Sequence, residues 1–297
     1  MLMNIIYFSK GIRGTECLQA VLDAGYRVKA VVGVTPEILL EEISSQGDIP
    51  LIYPEKPNGM ETAHQLEKFQ ADLFILSGYN QILRPRIFEI PPLGTINLHG
   101  GKLPEYRGAA PINWQIINGE TTGGCSIIYL DEGIDTGDII LQERYPITPD
   151  DTHASVLEKT LRIFPEMLLK VLRHIEEGTV QRVKQDPGEG CYYTRRYPRD
   201  SRIHWNELTD VQVRNLVRGM HGPYPAAFTY RENLKVEIDR ASLLEETITG
   251  IPGRVPMKRG EAVIVLAKNR GLLVEEITIQ GAKLTPAEYF QIGDDLK

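Results

Sequence analysis

The sequence predicts an α/β fold: a Rossmann-like, mostly parallel sheet flanked by helices, followed by a small antiparallel β-barrel domain. Three observations carry this. Residues 3–8 are a continuous apolar run, the mark of a strand buried on both faces. A helical pattern and a second apolar run, Val28–Val34, follow it, and strand–helix–strand order predicts a parallel pair. After Gly178 the character changes to short alternating segments at Ala227–Tyr230, Leu234–Ala241, Ala262–Ala267 and Leu272–Ile279, with Glu288–Ile292 following. Short strands spaced by turn residues read as a small barrel. The expected domains are residues 1–185 and 206–297, joined by a linker over 186–205 that holds Asp186-Pro-Gly-Glu-Gly190 and the charged run Arg195–Arg202.

The elements follow in order. Cys17, Leu18, Val21 and Leu22 give the first helix its apolar face, and Gly25 ends it. The loop before it is Gly11-x-x-Gly14, too short for a dinucleotide fingerprint. With Lys10 and Arg13 at a helix N-terminus it can still hold an anion. Pro36–Gln46 and Glu61–Phe69 read as helices, Leu51-Ile52 and Asp72–Ser77 as strands, and Ile82 as a core residue after the following turn. Gly94–Leu98 is a strand bounded by Pro91-Pro92 and Gly100-Gly101. Pro111 suits the first position of a short helix through Asn118, on which Trp114 packs. Ile139–Arg144 reads as a strand. Thr152–Glu177 is a long helix whose stripe is Leu157, Leu161, Phe164, Leu168, Val171 and Ile175. Asp151 or Thr152 caps it, Pro165 bends it, Gly178 ends it, and His174 lies on its surface. Val211–Met220 is a further helix.

The chain has 297 residues and a formal charge of -7, which weighs against a polyanion as main partner but permits a local basic patch. Cys17, Cys125 and Cys191 have no paired spacing, as expected of reduced thiols in a cytoplasmic protein. Met1–Phe8 is apolar but lacks the length and basic flank of a signal peptide, and no run reaches membrane-spanning length. No membrane partner is expected.

The chemistry concentrates in Asn97-Leu-His-Gly-Gly-Lys-Leu-Pro-Glu-Tyr-Arg-Gly-Ala-Ala-Pro111. Asn97 and His99 are two apart, so a strand puts both on one face. The Gly/Pro-rich loop beyond carries Lys102, Tyr106 and Arg107. Taken alone, the pair also reads as a turn-forming asparagine and a structural histidine. A second polar loop, Asp131-Glu-Gly-Ile-Asp-Thr-Gly-Asp138, follows the apolar run Ser126–Leu130. One of its carboxylates can fix the tautomer of an imidazole. Spacing leaves Asp131, Asp135 and Asp138 all open, along with a hard-metal site or an ordinary acidic turn.

These two stretches, with Asn118-Gly-Glu120 between them, resemble the folate-dependent formyltransferases. The resemblance covers most of the chain and weakens between about residues 145 and 190. It implies a catalytic trio of Asn97, His99 and Asp135, with 10-formyltetrahydrofolate as co-substrate and no metal. It places Tyr79, Gln81 and Leu83 in the loop that lines the folate pocket, with Asp131 and Gly133 on the same side. Ser9, Lys10 and Arg13, and Lys102, Tyr106 and Arg107, become acceptor contacts. The C-terminal barrel is implied to be OB-like, with a structural or interface role, and its exposed strands leave room for a homodimer.

Two acceptors are compatible with this family: a nucleotide-linked amino sugar and the methionyl group on initiator tRNA. No Lys or Arg occurs between Ala30 and Glu55, where the tRNA enzymes carry a basic insertion. An uncharged or acidic surface there disfavours a polyanion. Asn97-Leu-His-Gly-Gly-Lys102, Phe228 and the turn Gly222-Pro-Tyr-Pro225 also look more like the sugar enzymes. The expected partner is therefore a nucleotide sugar, with tRNA disfavoured. Outside the family, a metal-dependent hydrolase and an inactive nucleotide-binding module are the rival readings.

Overall fold

A computed structural model describes residues 3–186, 188–220, 222 and 224–297. Met1, Leu2, Pro187, His221 and Pro223, the last within the stretch expected as the Gly222–Pro225 turn, lie outside the described residues. The chain forms two compact units. The first comprises residues 1–108, 123–145 and 158–193, and the second comprises 109–122, 146–157 and 194–297.

In chain order the elements begin with β1 (Asn4–Ser9), α1 (Gly11–Asp23), β2 (Arg27–Gly33), α2 (Ile38–Gln46), β3 (Leu51–Ile52), α3 (Met60–Glu67) and β4 (Leu73–Ser77). They continue with α4 (Pro85–Phe88), β5 (Thr95–His99), β6 (Arg107–Gly108), α5 (Pro111–Ile117), β7 (Thr122–Tyr129), β8 (Ile139–Pro146), α6 (His153–Glu176) and β9 (Tyr192–Tyr193). Seven strands of the first unit form one sheet in the order β3-β2-β1-β4-β5-β7-β8. The pairs from β3 to β5 are parallel, and β7 runs antiparallel to β5. β6 and β9 form a separate two-stranded parallel ribbon, which periodicity does not register because each strand is two residues long.

The sheet is apolar on both sides, as its central strands require. One side packs Ile6, Phe8, Phe74 and Leu76 against Ala63 and Leu66 of α3 and Ile87 and Phe88 of α4. The other carries α1, where the Tyr7 hydroxyl donates to Gly14 O at 3.1 Å. α6 buries Thr160, Phe164, Leu168, Val171 and Leu172 completely, while Leu161 is half-buried. Its buried face is thus rotated by one residue at the N-terminal end from the stripe the sequence predicts. Thr152 Oγ1 accepts the Ser155 N–H at 3.4 Å, and Asp151 instead accepts from Thr148 and Ser155. Ile82, expected in the core, is 61% exposed.

The second unit contains α5 and then α7 (Asp210–Gly219), β10 (Ala227–Arg231), β11 (Leu234–Leu243), β12 (Met257–Arg259), β13 (Ala262–Leu266), β14 (Gly271–Ile279), β15 (Ala282–Leu284) and α8 (Pro286–Tyr289). Its antiparallel sheet runs β10-β11-β14-β13-β12, with β15 on β14. The segment at Glu288 is thus the end of a short helix rather than another strand, because Pro286 starts a helical turn. The core gathers Trp205, Val213, Val236, Ile238, Val263, Val265, Leu272 and Phe290. α5 packs on α7: Asn113 Nδ2 donates to Gly219 O at 2.8 Å. A Cβ at Gly219 would meet the Ile117 Cγ1 at 2.8 Å, so only glycine permits this approach. Trp114 is half-buried, with the Arg196 guanidinium 4.7 Å over its ring.

At the start of α7 the carboxylate of Asp210 is 1% exposed. It accepts from Asn269 Nδ2 at 2.8 Å and Arg270 Nε at 2.6 Å. Burial works to raise its pKa, but the hydrogen bonds from Asn269 and Arg270 outweigh it and hold the carboxyl below its ordinary range. A depressed folded-state pKa stabilises above the unfolded value, about 3.9, and that stability is lost as pH falls through the folded value. Thermal melts should therefore show stability falling below about pH 4, with the loss blunted in Asp210→Ala. That variant should cost about 1–3 kcal/mol at neutral pH, because the Asn269 and Arg270 donors lose their acceptor.

Candidate active site

β5 is buried in the sheet up to His99. Its register pairs Leu76 with Asn97 on one side, and Asn97 with Ile128 and His99 with Ser126 on the other. Strand alternation puts Asn97 and His99 on the face that carries α3 and α4. His99 is 6% exposed. Its Nε2 lies 2.6 Å from the carbonyl of Tyr106. A carbonyl only accepts, so Nε2 carries the proton, and Nδ1 is the ring nitrogen left to exchange one.

Nδ1 faces Asp135, whose Oδ2 is 3.5 Å away. The same oxygen accepts the Gly108 N–H at 2.8 Å, and Oδ1 is 3.5 Å from Asn97 Nδ2. Among the three aspartates that spacing left open, Asp135 is the one beside the imidazole. It stands at φ 53°, in the left-handed region. That conformation costs about 1–2 kcal/mol for an L-residue, and aspartate is among the residues that tolerate it. Asp131 serves the loop itself: its Oδ1 accepts from the Gly133 N–H at 3.0 Å and the Thr136 hydroxyl at 2.6 Å. Chemically, the trio can offer an amide N–H to a developing oxyanion, exchange a proton at Nδ1, and stabilise the resulting imidazolium with a carboxylate.

The other expected contacts divide. Lys102 sits 15% exposed at the loop, 3.8 Å from Glu105. Tyr106 is 3% exposed and its ring stacks on Tyr193 at 4.9 Å, so its contribution is the carbonyl that anchors His99. Arg107, expected as an acceptor contact, is 1% exposed and bonded to Gln185, Asp186 and Glu189. Burial and these partners correct that expectation. Ser9 pairs with Ser77, which pairs with Leu98. Its side chain therefore points to the α1 face, away from Asn97 and His99, and its buried hydroxyl has no partner. Arg13 lies on that side too, with its guanidinium 5.1 Å over the Phe164 ring. Lys10 is half-buried and donates its N–H to Ser77 O at 3.2 Å.

On the expected folate side, Tyr79 and Leu83 belong to the same apolar layer as α3 and α4, and Gln81 is exposed. The Tyr79 hydroxyl is buried without a partner, and burial pushes its pKa up to about 12. An open cavity of about 450 Å³ lies beside Asp131, Glu132 and Arg182. It opens at the Gly94 end of β5 and does not include the trio. No group of three or more metal-ligating side chains occurs among the described residues, and no described helix is long and apolar enough to cross a membrane. Sequence reasoning missed Gly108 and Gln185. The second lies where the resemblance weakens, and only its glutamine side chain, next to Asp186 in the expected linker, marked it.

Residues 13–172 match the family Formyl transferase, and residues 196–294 match Formyl transferase, C-terminal domain. The methionyl-tRNA formyltransferase of Syntrophus aciditrophicus is 32% identical over 306 residues, covering 99% of this chain and 97% of its own. That of Geobacter sulfurreducens is 32% identical over 303 residues, covering 98% and 94%. Among solved structures, the N-formyltransferase from Helicobacter canadensis, in complex with folinic acid and dTDP-3-aminofucose, superposes with a TM-score of 0.67 at 19% identity. It covers 94% of this chain and all, 100%, of its own. At that identity the likeness is one of fold.

These relatives correct the expected acceptor. The preference for a nucleotide sugar over tRNA rested on a segment without Lys or Arg that forms the end of β2, α2 and β3, and on the stretch Asn97–Lys102, Phe228 and the turn at 222–225. One segment whose only charges are acidic does not set the field of a whole surface. The relatives that match end to end are named for methionyl-tRNA.

A Cβ at Gly137 would collide with the carbonyl of Tyr129. Gly137→Ala should therefore lower thermal stability by about 1–3 kcal/mol, as overpacking does. It should also move Asp135 away from His99, detectable as a changed His99 ring nitrogen resonance.

Proposed function

The chain belongs to the formyltransferase family, and from that premise we propose that it carries the formyl group of 10-formyltetrahydrofolate to the amine of a methionyl group on tRNA. The chain is a folate-dependent N-formyltransferase. The acceptor rests on one observation, the end-to-end correspondence with methionyl-tRNA formyltransferases at about a third identity. The residues present fit a folate donor: the buried Tyr79 hydroxyl lacks a partner in the apolar layer under the face that holds Asn97.

In this reading Asn97 donates its side-chain N–H to the formyl oxygen as negative charge develops there. His99 is anchored through Nε2 on the Tyr106 carbonyl, so Nδ1 takes the proton from the attacking amine. Asp135 stabilises the imidazolium and moves that proton onward to the departing folate nitrogen, directly or through water. The donor is an activated amide, so the step needs no ionised water. Tyr79 and the backbone of residues 78–83 bind the donor's ring system, with Asp131 and Gly133 shaping the loop on the same side. Phosphate contacts come from exposed arginines of the second unit, where Arg195, Arg199 and Arg202 are all exposed.

The test is formylation of methionyl-tRNA with 10-formyltetrahydrofolate as donor. The expected product is formylmethionyl-tRNA, formed at a rate that falls steeply with added salt. Asn97→Ala should lower turnover by about a hundredfold or more, the loss of one oxyanion donor. Folate turnover with no formylated tRNA at any salt concentration overturns the acceptor. Unchanged turnover in Asn97→Ala overturns the chemistry.

A further inference from the structure

We infer that Gln185 is a positioning residue for Asp135, and that its pairing with Arg107 makes the segment before β9 part of the transfer machinery. The inference rests on the role given to Asp135 above, and it concerns Gln185, which no motif of the family brought forward, and a new role for Arg107.

Gln185 Nε2 donates to the carbonyl of Asp135 at 2.9 Å and to that of Gly137 at 2.7 Å. These two carbonyls bracket the turn in which Asp135 takes its left-handed conformation. Gln185 Oε1 accepts from Arg107 Nε and Nη2, both at 3.0 Å. The amide orientation is thereby fixed. Turned over, it would set its NH2 against the guanidinium and its oxygen against two carbonyls.

Arg107 is pinned in turn. Its Nη1 donates to Glu189 O at 3.0 Å and its Nη2 to Asp186 O at 3.3 Å. Its own N–H donates to Cys191 O at 3.0 Å, and β6 pairs with β9. The next residue, Gly108, supplies the N–H that holds Asp135 Oδ2. One pair of side chains therefore controls Asp135 twice, through its backbone and through the donor to its carboxylate. The buried guanidinium meets amide and carbonyl oxygens, so it leaves Asp135 to His99 instead of capturing it. A cavity or helix end is not needed for this role; the geometry is a closed ring of hydrogen bonds.

Gln185→Glu separates the two duties. A glutamate keeps the contact with Arg107 but has no hydrogen to give the Asp135 and Gly137 carbonyls. The expected result is a fall in kcat of about ten- to a hundredfold, since small misplacement of a reacting group has that effect. KM for 10-formyltetrahydrofolate and for methionyl-tRNA should stay within about twofold, as for an interaction that acts only in the transition state. The double variant Arg107→Met/Gln185→Met removes the pair together with its donors to the Asp135, Gly137, Asp186 and Glu189 carbonyls. It should show the same kcat loss, assayed below a lowered melting temperature, whereas Gln185→Glu, which keeps the Arg107 contact, should melt near the parental temperature. Parental kcat in either folded variant, or a loss carried by KM, overturns the inference. So does early melting of both variants, which assigns the pair to folding alone. Asp135→Asn, measured alongside, separates the two layers: parental kcat there sinks the role of Asp135 itself. An inactive Asp135→Asn beside a fully active Gln185→Glu sinks only the positioning role.

Discussion

The Asp135 carboxylate, held by the Gly108 N–H and facing Nδ1 of His99, is the contact on which the site depends. A carboxylate beside a buried imidazole does two things at once. It faces the one ring nitrogen that the Tyr106 carbonyl leaves free to exchange a proton, and it can accept a hydrogen bond there. Neither works unless the acid is delivered across the face of the sheet from a loop that begins elsewhere. β7 runs antiparallel to β5, so Tyr129 pairs with Ile96 and not with His99. The loop after β7 must therefore double back, and the left-handed turn at Asp135, the Asp131 turn and the glycine at 137 are the means.

The sheet divides the work by its faces. Asn97 and His99 share the side of α3 and α4 with Tyr79 and Leu83, so the polar cluster and apolar packing lie in one layer. The opposite side carries α1 and α6, with Ser9 and Arg13. Strand pairing alone dictates this, because residues in register point the same way. A polar residue at the end of β1 is near the site in topology yet faces away from it.

Acceptor choice illustrates how charge reads at different scales. The chain is acidic overall, and its stretch from Val31 to Pro54 has no cation. Phosphate recognition, however, depends on local arrays of arginine and lysine, not on the net balance. The second unit has exposed arginines at 195, 199 and 202, on a segment that composition marked only as a charged linker. A global average and one missing insertion were too coarse to exclude a polyanion.

Much of this molecule was written locally. Apolar runs specified β1 and β4, and bounding prolines and glycines specified β5; glycine at 25 and 178 specified helix ends; and Asn97 and His99 shared a face because a strand has a period of two. Similar local patterns specified most of the antiparallel second unit. Register, rotation and burial were not local. The α6 face shifted by a residue, Ile82 turned outward, and Arg107 went inward to meet Gln185, 78 positions away. The sequence by itself determined which side chains could do the chemistry. Only the tertiary structure decided how Asp135, which spacing left open and the resemblance named, reaches the imidazole, because that depends on a left-handed turn and on hydrogen bonds from residues distant in the chain.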